Sequence, residues 1–155
     1  MAAHPAYIAL WQRADTFDRM SADWAAVLDA LLASGRIDPE RVGYWGLSMG
    51  TMLGLPFVAS EPRIKAAVLG LCGFTGTSAV RGRFGERHRA DAPRVTCPLL
   101  FMVQWDDERF GREGAFELFG ALGSRDKRMH VHPGAHGALP LEAADTTREF
   151  LAAHL

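Results

Sequence analysis

Apolar positions along the chain recur in two alternating rhythms. Over residues 18–33, Met20, Trp24, Val27, Leu28, Leu31 and Leu32 fall at helical spacing, so one face of a helix is apolar. Asp15, Asp18 or Ser21 is placed to cap its start and Gly35 to end it. Ile37-Asp38-Pro39-Glu40 reads as a turn, and residues 41–46, Arg-Val-Gly-Tyr-Trp-Gly, as a short strand. Residues 49–60 predict a helix apolar on nearly every side and therefore buried, with Pro56 expected to bend it. Residues 64–71 are a continuous apolar run, the pattern of a strand covered on both faces. Residues 98–104 repeat that pattern, and 127–132 form a shorter, alternating strand. Residues 113–122, with Phe116, Leu118, Phe119 and Leu122 inward, and residues 141–155 predict helices. Residues 73–96 break the rhythm. Gly73, Gly76, Gly82, Gly85 and a run of arginines predict a mobile loop, with room for a short helix.

Strands alternating with helices define an α/β domain, a three-layer sandwich with a short, mostly parallel sheet of about four strands. Right-handed crossovers place those strands side by side in chain order. The 155 residues are read as one domain, with 1–17 of uncertain structure. A formal net charge of -1 gives no global field for nucleic acid or an anionic membrane. Cys72 and Cys97 are too few for a disulfide framework and sit beside apolar runs, so they read as thiols in a reducing compartment. Met1-Ala2-Ala3-His4-Pro5 lacks the pattern of a signal peptide, and no apolar run reaches the length of a membrane span. A soluble, cytoplasmic protein is expected.

The chemistry is carried by three short segments. Gly46-Leu47-Ser48-Met49-Gly50 matches Gly-x-Ser-x-Gly between a predicted strand and a predicted helix, where a tight turn projects the serine hydroxyl from the end of the sheet. The flanking glycines are expected to let strand and helix pack close to it. The Met49 N–H, at the helix start, is placed to stabilise an oxyanion. A serine nucleophile needs a base, and the base an orienting acid. Trp105-Asp106-Asp107-Glu108 follows the strand over 98–104, with Asp107 the preferred acid and Asp106 the alternative; Glu108 reads as surface charge. Pro133-Gly134-Ala135-His136-Gly137 follows the last strand and offers His136 as base. His130 and His132 share one strand face and read as packing or surface; as His-x-His they lack further metal ligands. No metal and no cofactor is expected.

These three motifs, in the order Ser, acid, His, resemble the α/β hydrolases of the esterase and dienelactone-hydrolase-like kind. The resemblance covers residue 18 to the C-terminus and is specific at the level of the superfamily. It implies carboxylic ester hydrolysis by acyl transfer, with Ser48, His136 and Asp107 as triad and a small-molecule ester as substrate. Leu47, Phe74 and Trp105 are the candidate substrate contacts, and Arg81, Arg83, Arg87 and Arg89 either attract a carboxylate or are solvated. A peptidase, a thioesterase, and an impaired module that binds or assembles are the alternatives. Family members carry further strands before the nucleophile, one leading to a His-Gly-rich loop with a second oxyanion donor. Residues 1–17 hold no such loop, and the chain reads as truncated. Losing one such donor costs on the order of 100- to 1000-fold in rate. The strand over 41–46 is then expected at a sheet edge, open to a homo-oligomer, unless Tyr7, Ile8, Leu10, Trp11 and Phe17 cover it.

Overall fold

The computed structural model describes residue 9, residues 13–75 and residues 81–155, with 81–83 as backbone only. Its elements run α1 (Thr16–Ala33), β1 (Gly43–Trp45), α2 (Met49–Ser60), β2 (Ala66–Gly70), α3 (Arg81–Asp91), a 3₁₀ turn (Ala92–Arg94), β3 (Leu99–Gln104), α4 (Arg112–Ala121), β4 (Lys127–His132) and α5 (Glu142–His154). The four strands form one sheet in the order β1-β2-β3-β4, every pair parallel. The expected α/β sandwich is therefore present, with its strands in chain order.

Strand parity sorts the core into two layers. Ala67 and Leu69 of β2 and Leu99, Phe101 and Val103 of β3 face one side, with Leu28, Leu55, Phe57, Val58, Ala115 and Leu118 of α1, α2 and α4. Ala66, Val68, Leu100 and Met102 face the other, beneath Ala143 and Phe150 of α5. Every residue of β2 and β3 is buried, which accounts for their unbroken apolar runs. β1 lies at the edge and is shorter than expected; Trp45 is half exposed there. Among the described residues, no helix is long and apolar enough to cross a membrane.

Local details refine the expectations. The Asp15 side chain does not cap α1; it pairs with Arg13 at 2.9 and 3.0 Å. Gly35 does end the helix, with φ +69°, a conformation that glycine adopts without strain. α2 runs through Pro56 as one element. The ring nitrogen of proline donates nothing, so the Met52 carbonyl four residues earlier lacks its helical partner; His88 Nε2 lies 2.9 Å from that oxygen instead.

Within the stretch expected to be a loop with a short helix, α3 runs for 11 residues. Phe84, His88 and Ala92 turn inward at four-residue steps and are buried. Phe84 meets Phe17 of α1 edge-on, ring centroids 5.0 Å apart, in a small cluster with Leu53. Arg87 pairs outward with Asp91 and Asp18. The glycines and arginines of this stretch hide a three-residue inward stripe that runs from α3 into the 3₁₀ turn. Tyr7, Ile8, Leu10 and Trp11 lie outside the described residues, as does Gly76.

Candidate active site

The serine is set by a sharp strand-to-helix turn. Ser48 has φ 54° and ψ -112°, a strained conformation for a residue with a side chain, of the kind that persists where surrounding bonds over-determine it. Two such bonds are present. The Ser48 N–H donates to Gly70 O at 2.9 Å, and Met52 N–H donates to Ser48 O at 2.9 Å in the first turn of α2.

Thr51 holds the turn from below. It is fully buried, and its Oγ1 lies 2.7 Å from both Gly46 O and Gly70 O while accepting the Gly70 N–H at 2.8 Å. One hydroxyl thereby joins the ends of β1 and β2 to α2. The only outward hint in the sequence is a hydroxyl amid an apolar helix, where a polar group must find a partner.

Asp107 and His136 approach from the ends of β3 and β4. His136 Nε2 lies 2.7 Å from Ser48 Oγ, and Nδ1 lies 2.8 Å from Asp107 Oδ2. A carboxylate accepts only, so Nδ1 carries the proton and Nε2 is the acceptor for the serine hydroxyl. Asp107 Oδ1 accepts the N–H groups of Arg109 and Phe110 at 2.8 and 2.9 Å, so both carboxylate oxygens are engaged by donors. The His136 and Asp107 side chains are only 9% and 3% exposed, which keeps their bond out of competition with water. Phe110 lies against the imidazole, ring centroids 5.9 Å apart.

Asp106 and Glu108 have different partners. Asp106 Oδ2 accepts the Gly134 N–H at 3.3 Å, while the Asp106 N–H donates to Gly134 O at 3.1 Å. Glu108, read as surface charge, accepts the His136 N–H at 2.9 Å, and that bond holds its carboxyl below the usual range. Buried Gln104 at the end of β3 adds a bond from Nε2 to Ala135 O at 3.1 Å. Gly134, at φ +107°, makes the turn that aims His136 back over the sheet.

The candidate substrate contacts are dispersed. Leu47 packs with the α5-side core, Phe74 is buried beneath the guanidinium of Arg89 at 4.0 Å, and Trp105 is half exposed beneath that of Arg112 at 4.5 Å. Met49 opens α2 directly after the serine and is half exposed. Of the loop arginines, Arg87 and Arg89 are paired with carboxylates, and the side chains of Arg81 and Arg83 lie outside the described residues. His130 and His132 stand side by side on β4, ring centroids 6.4 Å apart, and burial pushes His132 below the usual histidine value.

A parallel sheet with a serine at a strand-to-helix turn, and with an acid and a histidine on loops beyond later strands, is the arrangement of the α/β hydrolases. The comparisons agree. No family model and no curated protein matches the chain. Among solved structures, a PEG-bound cold-adapted esterase from an Arctic intertidal metagenomic library is 42% identical, with a TM-score of 0.86 over 99% of this chain and 62% of that one. Its zinc-bound form is 41% identical, with a TM-score of 0.85 over 99% of this chain and 66% of that one. An acetyl xylan esterase from Paenibacillus sp. R4, 19% identical, shares the fold with a TM-score of 0.74 over 90% of this chain and 54% of that one. The chain has the α/β-hydrolase fold, and it spans 62–66% of the length of the cold-adapted esterase structures it resembles.

Proposed function

We propose that this chain carries the nucleophile, base and acid of a serine esterase that hydrolyses carboxylic esters. The observation behind the reading is the unbroken line of two short hydrogen bonds from Asp107 through His136 to Ser48. Ser48 Oγ attacks the ester carbonyl carbon as His136 Nε2 takes its proton. The tetrahedral oxyanion receives the Met49 N–H, and the alkoxide leaves with the proton from His136. Water, deprotonated by the same nitrogen, then attacks the acyl-enzyme and releases the acid. Asp107 holds the imidazole in the tautomer this requires. Leu47, Phe74 and Trp105 are proposed to contact the ester. The test is labelling with a fluorophosphonate, wild type beside Ser48→Ala. Labelling lost in the variant supports the reading; an unlabelled, folded wild type contradicts it and leaves a binding or assembly module.

A second copy of the chain is the proposed partner. Among the described residues no strand pairs with the outer edge of β1. Beside that edge lies a groove of about 500 Å³, with Trp24, Leu28, Ile37 and Tyr44 in its walls and Val27 and Leu31 exposed at its rim. An open strand edge next to apolar surface favours an isologous contact in which each copy covers the other. A cytoplasmic location goes with this reading.

A further inference from the structure

The loop that carries His136 is tied down from two kinds of place. Asp106 holds Gly134 through its N–H and its carboxylate, and the Glu108 carboxylate holds the His136 N–H, both from exposed positions beyond β3. The other tie comes from inside the sheet. Gln104, the last residue of β3, is 0% exposed, and its Nε2 donates to Ala135 O at 3.1 Å, one residue before the base.

Stability does not account for a glutamine at this position. The Nε2 bond fixes which end of the amide meets the loop. The other end, Oε1, is buried and has no hydrogen-bond partner among the described residues. His132, the register partner of Gln104 on β4, supplies no donor, and its own buried Nε2 is also unpaired among them. A buried acceptor without a donor costs at least as much as one ordinary hydrogen bond gains on balance. Nor does the loop carbonyl depend on the amide. Ala135 O also accepts the Ala138 N–H at 2.9 Å, and Ala135 is exposed to solvent. By strand parity Gln104 shares its face with Leu100 and Met102 of the α5-side core, where an unbranched apolar side chain of similar length is suited.

The amide instead fixes direction. A side chain rooted in a buried strand holds its partner more tightly than one rooted in an exposed loop. A displacement of about 1 Å at a reacting group costs on the order of 100-fold in rate. We propose that Gln104 is a positioning residue: it sets the Ala135 carbonyl, and through it the His136 imidazole, where Nε2 can take the proton of Ser48, with no gain in stability. This rests on the esterase reading and adds a residue to it.

The test compares wild type with Gln104→Met by urea midpoint, fluorophosphonate labelling rate and steady-state kinetics on p-nitrophenyl acetate. The variant should unfold at the same or a higher urea concentration. Its labelling rate and kcat should nevertheless fall roughly 10-fold or more, with KM within about twofold, the pattern of an interaction that matters only in the transition state. A lower midpoint, or a variant that does not fold, makes Gln104 a structural residue and overturns the proposal. A folded variant with wild-type kcat overturns it as well. In both cases a labelled, active wild type leaves the esterase reading standing, whereas a folded wild type that is neither labelled nor active overturns both.

Discussion

The phenol of Tyr44 occupies the space into which a side chain at Gly46 would project. A Cβ at Gly46 would stand 2.7 Å from the Tyr44 ring and hydroxyl and 2.8 Å from Gly50 O. At Gly54 it would meet the Tyr44 hydroxyl at 2.1 Å and the ring at 2.2 Å. At Gly50, the other glycine of the motif, it would meet nothing within 4 Å. The two glycines flanking the serine are therefore unequal: only the first is required by packing within this chain. Gly46→Ala and Gly54→Ala should each destabilise by about 1–3 kcal/mol through overpacking. Gly50→Ala should be neutral or stabilise by up to about 1 kcal/mol through helix propensity. Urea unfolding midpoints at constant slope check the ranking.

Thr51→Val keeps the shape of the side chain and removes every bond made by Oγ1. The buried Gly70 N–H then loses its acceptor, so the variant should lose about 1–3 kcal/mol of stability. Because Gly70 O also receives the Ser48 N–H, fluorophosphonate labelling should slow in protein that remains folded. Equal labelling rates for folded wild type and variant would show that the serine is positioned without Thr51.

The three consecutive acids separate by their partners. Asp107→Asn leaves a group that favours the wrong tautomer of His136, and kcat should fall on the order of 10⁴-fold. Asp106→Asn still offers an oxygen to the Gly134 N–H and should cost at most about tenfold, the worth of one ordinary hydrogen bond. Steady-state kinetics on a short-chain ester distinguish them, and a larger loss at Asp106 would move the acid role there.

Burial raises the Tyr44 phenol from its ordinary 10.0 to about 12. Between those values the unfolded chain releases this proton and the folded chain keeps it. The unfolded state then binds fewer protons, and stability falls as pH rises. Cys97, raised by burial to about 11, acts in the same direction, so the experiment belongs in a Cys97→Ala background. There, Tyr44→Phe should flatten the fall above pH 10, although it loses about 1 kcal/mol near neutrality with the bond to Gly50 O. An unchanged alkaline slope would assign the effect to other groups.

Self-association is checked by light scattering across concentration. Wild type should exceed the monomer mass, and Leu31→Glu, which puts a charge at the apolar rim, should return it to monomer. A compact wild-type monomer at all concentrations contradicts the assembly.

The limits of α2 and β4 were legible at both ends, because an apolar helix after a glycine turn and a strand between Asp126 and Pro133 have clear borders. α1 begins two residues earlier than its periodicity indicated, since Phe17 is held by Phe84 from far along the chain. α3 was hard to read because its inward stripe is only Phe84 and His88 among arginines and glycines, continued by Ala92 of the 3₁₀ turn. Ser48, Asp107 and His136, the proposed triad, were read from the order of their motifs, and the fold brings them into one line of hydrogen bonds. Thr51, Gln104, Asp106 and Glu108 were not assigned supporting roles, because their partners are mostly backbone groups many residues distant. Local pattern carries no record of such bonds.

The successive carboxylates of Asp106, Asp107 and Glu108 grip three groups of a single loop: the Gly134 N–H, the His136 ring and the His136 N–H. Backbone ties at Gly134 and the Gln104 amide fasten the same loop again. Acid and base thus form one cassette, clasped along its length, while the serine belongs to a separate body built on α2. The two bodies meet where His136 Nε2 lies 2.7 Å from Ser48 Oγ, so the proposed triad is assembled from two units rather than three.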